Sequence, residues 1–195
     1  MMTNRFADKY KISSPRLKNH NYSSSGLYFI TICTYRHNNF FGKIINNQME
    51  LSKMGIIVES ELFKTFEIRK NIKLHQYVIM PNHIHLLIEI KYQIKNNNIH
   101  CRDVLQNVST NNTNVSIYKT SEYFSKISPE PGSISNIIKQ FKSAVTKQIN
   151  PHKVFFAWQS RYHDHIVKDK QDYFTIKNYI KNNVINWEKD KFYKI

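Results

Sequence analysis

The sequence predicts an α+β domain: an antiparallel sheet of about five strands with helices packed on one face, a ferredoxin-like arrangement. Three observations predict it. Short runs rich in β-branched and aromatic residues, such as "LYFITICTY" over 27–35 and "HIHLLIEI" over 83–90, have strand character. The run "IKLHQYVIM" over 72–80 meets the second of these across Pro81-Asn82, a break that turns the chain back and makes the pair antiparallel. Between the strands lie stretches whose apolar residues recur every three or four positions, the period of a helix. No internal repeat divides the chain, and its 195 residues suffice for one domain, 1–195, with its own core.

Residues 1 to about 24 are polar and basic and show no period. After the strand at 27–35, "FGKIINNQMELS" has the pattern of a short hairpin turning at Asn46-Asn47. Ser52 can then cap a helix whose Met54, Ile57, Val58, Glu61, Leu62 and Phe66 share a face, ending near 67. Residues 91 to about 131 are rich in Asn, Ser and Thr and read as a mobile insertion. Helical spacing returns over 133–149 through Ile134, Ile137, Ile138, Phe141, Val145 and Ile149, with Lys139, Lys142 and Lys147 on the opposite face. "WQSRYHDHIVK" holds another strand, and Asp169 starts a last helix, with Asp172 in its first turn, that runs to about Asn183.

Lys and Arg number 29 against 14 Asp and Glu, a net charge of +15. That excess points to a polyanionic partner, nucleic acid first and an anionic membrane surface second, or else to a solubilising surface. No run approaches the roughly 18 apolar residues of a membrane span, and "MMTNRFADKYK" lacks the apolar stretch of a signal peptide. Cys33 and Cys101 are too few for a disulfide framework and suit a reducing cytoplasm. With four glycines and no Gly-rich loop or Cys-x-x-Cys, phosphate-cradling motifs for nucleotides are missing.

The run "YVIMPNHIHLLIEI" places two histidines, His83 and His85, inside an oily strand. Residues i and i+2 of a strand share a face, with Cβ atoms roughly 6 to 7 Å apart, so both imidazoles can converge on one ion. Ile84, Leu86 and Ile88 then point into the core. The spacing equally suits two half-exposed histidines of no chemical role. A third ligand has two candidate sources. His163 and His165 repeat the spacing, and four histidines would suit zinc, although His165 also fits a structural role near Asp164. Tyr179 and Asn183, four apart, stack on one face of the last helix. A tyrosine beside a metal, with an amide one turn on, fits attack on a phosphodiester. It equally fits a ring packed under the sheet.

These pieces occur in an order that resembles one family. "MPNHIHLL" is similar to the His-hydrophobic-His signature of the HUH superfamily of single-strand DNA nucleases and transposases. "SPRLKNHNYSSSGLYFITICTYRHNNFFG", "ISNIIKQFKS", "WQSRYHDHIV" and "YIKNNVINW" resemble, in turn, the first block, middle helix, penultimate strand and final helix of REP-associated tyrosine transposases. The likeness covers most of the chain. It departs at Val184, where the family has proline after the asparagine.

The resemblance implies that His83, His85 and Asn183 hold a divalent metal, Mg2+ or Mn2+, and that Tyr179 is the nucleophile. It implies an endonuclease and strand transferase that cuts single-stranded or hairpin DNA, from palindromic repeats, through a 5′-phosphotyrosine. The implied setting is the cytoplasm, at the nucleoid and away from membranes, with a homodimer left open. Arg16, Lys18, Lys139 and Lys142 are candidate phosphate contacts. Two other readings stand beside this one: a DNA- or RNA-binding module of the same fold without catalysis, and a nicking enzyme of the replication-initiator or relaxase type.

Overall fold

The computed structural model describes residues 24–91, 129 and 131–193. The first strand, β1 (Gly26–Cys33), leads through a 3-10 turn at Tyr35–His37 into a hairpin of β2 (Gly42–Ile45) and β3 (Gln48–Leu51). Asn46 and Asn47 take φ of 49° and 59°, the left-handed pair that a two-residue hairpin turn demands. Ser52 caps α1 (Lys53–Glu67), accepting from the Gly55 N–H at 3.1 Å. Strands β4 (Ile72–Ile79) and β5 (His83–Ile90) follow. Helix α2 (Ile134–Ile149) starts at the Ser133 cap, β6 spans His163–Ile166, and α3 (Lys170–Asn182) starts at Asp169, whose carboxylate accepts from Asp172 N–H at 2.9 Å.

The sheet is antiparallel with strand order β4-β5-β1-β6. It has four strands rather than about five, because β2 and β3 pair only with each other and form a separate ribbon. The helices cover both faces rather than one. Tyr28, Ile30 and Ile32 of β1 and Ile84, Leu86 and Ile88 of β5 pack against Val58 and Leu62 of α1 and Ile137, Phe141 and Val145 of α2. On the opposite face Leu87 packs against Ile176 and Ile180 of α3, with Phe29 and Val78 alongside. The cause lies in β5: seven of its eight residues are buried, so both sets of alternating side chains leave water and both faces need cover.

The insertion expected over 91–131 lies outside the described residues except at 91, 129 and 131. Among the described residues no helix is long and apolar enough to cross a membrane.

Candidate metal and tyrosine site

The chain turns at Pro81-Asn82, closed by the Met80 N–H donating to the His83 carbonyl at 2.9 Å, and enters β5 with His83 and His85 on the face that α3 covers. Both histidines are buried. Each ring is held at its Nδ1. His83 Nδ1–H donates to Asn82 Oδ1 at 2.8 Å, and His85 Nδ1 is hydrogen-bonded to Thr31 Oγ1 at 2.8 Å. Register supplies the second partner, because Thr31 lies opposite His85 in the β1–β5 ladder. Asn82 is itself fixed, its Nδ2 donating to the carbonyls of His37 (3.1 Å) and Phe192 (2.8 Å). With both Nδ1 atoms held, the two Nε2 atoms are aimed at one point and lie 3.0 Å apart. Such outer partners fix ring orientation and tautomer, which metal-binding histidines require. Burial, reinforced by His37 and then by the positive charge of Lys191, holds the His83 imidazolium off, with a pKa of about 3, and His85 is lowered chiefly by burial and by His83. Both rings are therefore neutral at physiological pH, the form that ligates.

Helix α3 brings the other residues. Tyr179 and Asn183 stand one turn apart at its C-terminal end, over the histidines. The Tyr179 hydroxyl lies 3.3 Å from His85 Nε2 and donates to Asp190 Oδ2 at 3.2 Å. Burial and the Asp190 charge push its pKa up to about 12. Asn183 Nδ2 donates to the same carboxylate oxygen at 3.1 Å. Asn183 is 2% exposed, and its Oδ1 is buried with no hydrogen-bond partner. A buried carbonyl left unpaired costs about 1–3 kcal/mol, so this atom needs a reason for being there.

Asp190 is the residue that sequence reasoning missed. Donor atoms of His83, His85 and Asp190 all lie within 4.8 Å of one another, a group able to hold a metal ion. The aspartate arrives by a fold-back: Trp187–Lys189 form a 3-10 turn, Trp187 and Phe192 bury their rings within 6.0 and 4.8 Å of His83, and Asp190 Oδ1 accepts from the Phe192 N–H at 2.7 Å. Its one sequence signal is a pair of acids, Glu188 and Asp190, between two apolar anchors, Trp187 and Phe192, in a Lys-rich tail.

The remaining candidates, and two further tyrosines, Tyr162 and Tyr173, lie elsewhere. His165 Nε2 is 2.7 Å from Asp172 Oδ2, tying β6 to the first turn of α3, and this contact lowers the Asp172 pKa. The partner is Asp172 rather than Asp164, and neither His163 nor His165 joins the His83 group. Tyr162 is buried against Ser135, its hydroxyl 2.9 Å from Ser135 Oγ. The Tyr173 hydroxyl is 3.2 Å from His75 Nδ1, whose Nε2 meets Glu89 at 2.8 Å. Lys139 is exposed. Lys142 turns inward and donates to the carbonyls of Gln159 (2.7 Å) and Arg161 (3.1 Å). Arg16 and Lys18 lie outside the described residues.

No family model matches the chain. An uncharacterized protein of Haemophilus influenzae is 36% identical over 181 residues, which cover 92% of each chain. The chain belongs to that protein's family. Among solved structures, a REP-associated tyrosine transposase bound to a REP hairpin superposes with a TM-score of 0.53 at 14% identity, covering 90% of this chain and 77% of the transposase. The chain therefore has a transposase-like fold, and the histidine pair sits on a central strand of its sheet.

Proposed function

We propose that the protein is a metal-dependent single-stranded DNA endonuclease and strand transferase acting on hairpin DNA through a 5′-phosphotyrosine. One observation carries the reading: the Tyr179 hydroxyl stands against His85 and Asp190 at the mouth of a buried histidine pair. The fold likeness to a tyrosine transposase supports it, as does the net charge of +15.

The donor set fits a hard divalent cation such as Mg2+ or Mn2+. His83 and His85 would hold it with Asp190, and the orphaned Asn183 Oδ1 is the further oxygen such an ion favours. When bound, the ion would polarise the scissile phosphate and offset charge building on its oxygens. Asn82 and Thr31 keep both Nε2 atoms aimed. Asp190 Oδ2, already the acceptor of the Tyr179 hydroxyl, takes its proton. The phenolic oxygen bonds to phosphorus as the bond to the 3′ oxygen breaks, and the proton taken from Tyr179 is returned through solvent, so that this oxygen leaves as a free 3′-OH. Attack by a second 3′-OH on the phosphotyrosine reverses the step and joins strands. Half-exposure of Tyr179 keeps the hydroxyl accessible to DNA.

The test is incubation of the full chain with single-stranded hairpin DNA and Mn2+. A covalent protein–DNA band that survives denaturation, and that requires metal, is expected. Binding without any adduct under these conditions would favour the module without catalysis.

A further inference from the structure

We infer that Tyr35 and Phe155 form a stacking platform for unpaired DNA bases. The inference rests on the DNA reading above. Tyr35 is 39% exposed and Phe155 66%, with their rings edge to face at 6.3 Å and Phe40 behind Phe155 at 6.2 Å. Their chain neighbours Phe156 and Trp158 turn inward and pack against the core, so the segment had apolar space available and left Phe155 outside it. Two large rings side by side in water cost free energy unless something covers them.

The turn that presents Tyr35 is strained. Arg36 and His37 both take φ of 54°, a left-handed conformation that side chains with a Cβ disfavour. It is held by the Tyr35 N–H donating to the Ala157 carbonyl at 2.8 Å and by the bridge between Thr34 and Trp158. The Arg36 guanidinium stands 5.1 Å from the Tyr35 ring centroid. His37 stacks on Phe192 at 5.1 Å and 21°, and Phe192 lies 4.8 Å from His83. Two ring contacts therefore lead from His37, two residues after Tyr35, to His83.

The chemistry selects the occupant. Every unpaired base has a π-face for an aromatic ring, and the phosphates that follow it suit a protein of net charge +15, with exposed Lys153 two residues before Phe155. Bases inside a duplex have no free face, so this surface discriminates single from double strands.

The experiment uses the full chain carrying Tyr179→Phe, so that binding is read without cleavage. The probe is a fluorescein-labelled oligothymidylate, compared by anisotropy with the same strand annealed into a blunt duplex. Tyr35→Ala and Phe155→Ala should each weaken single-strand binding by about tenfold, the scale of one base–aromatic stack. Duplex affinity should stay unchanged, and Tyr35→Phe should bind like the parent. Because both positions are exposed, melting curves of the variants should match the parent. As a second readout, indole fluorescence of Tyr35→Trp should be quenched by the oligonucleotide, in excess of any quenching of the parent. Alanine variants that bind the single strand as the parent does, or that lose single strand and duplex alike, overturn the platform. An adduct formed by the Tyr179 protein alongside unchanged alanine variants removes the platform alone. Lost stacking in a protein that never forms an adduct removes the chemistry and leaves the platform standing.

Discussion

His83 and His85 face each other through Nε2 atoms 3.0 Å apart, each ring pinned from behind at Nδ1. The pinning groups, Asn82 and Thr31, belong to the turn before β5 and to the neighbouring strand, so backbone register sets where the imidazoles aim.

Thr31→Val keeps the shape of the side chain and removes its hydroxyl. It should lower Mn2+ affinity by about 10- to 100-fold, the usual effect of deleting a histidine's outer partner. Titration calorimetry with Mn2+ checks this. Asn82→Ala should do the same and also destabilise, because Asn82 Nδ2 holds the carbonyls of His37 and Phe192.

Asn183 supplies a prediction about stability. Its buried, unpaired Oδ1 costs about 1–3 kcal/mol in the metal-free chain. Saturating Mn2+ should raise the melting temperature of the parent through mass action. Asn183→Leu, which removes that oxygen, should show a smaller rise. Equal rises in the two proteins would place Asn183 outside the ligand set.

The two periods of the backbone explain how much of this could be read in advance. His83 and His85 share a face because side chains alternate along a strand, and Tyr179 and Asn183 because a helix repeats near four residues. Ser52 and Asp169 were legible as caps, and Asn46-Asn47 as a turn, because each acts on its own backbone. Asp190 was not. It reaches the site through the fold-back of 187–193, a tertiary event with no period. That α3 would lie over the histidine pair followed from pairing Tyr179 and Asn183 with His83 and His85; what was hidden is that α1 and α2 take the opposite face, because an apolar helix stripe does not name the sheet face it meets. Lys142 showed its helical face, but its ammonium bends to carbonyls 17 and 19 residues further on.

Lys142 also gives a pH dependence. Burial pushes its pKa down from 10.5 to about 8. The folded state therefore binds fewer protons than the unfolded state between those values, and stability from this group rises with pH across that window. Below about pH 8 both states hold the proton, and the full cost of burying the charge is present. In denaturant titrations, Lys142→Met should be less responsive than the parent between pH 8 and 10.5. A parallel response would mean that the ammonium is hydrated.

Salt tests the charge. Binding of single-stranded DNA should weaken with a log–log slope of about −0.7 for each phosphate neutralised. Flat affinity from low to physiological salt would assign the +15 to solubility instead.

If Tyr179 is the nucleophile, Tyr179→Phe should show it, because the change removes one oxygen from the group of Asp190 and His85. The measurement is covalent adduct with single-stranded hairpin DNA in Mn2+, read beside hairpin affinity. Tyr179→Phe should give no adduct, with hairpin affinity nearly unchanged. An adduct formed at the parent's rate would contradict it and would move the search to another of the chain's twelve tyrosines.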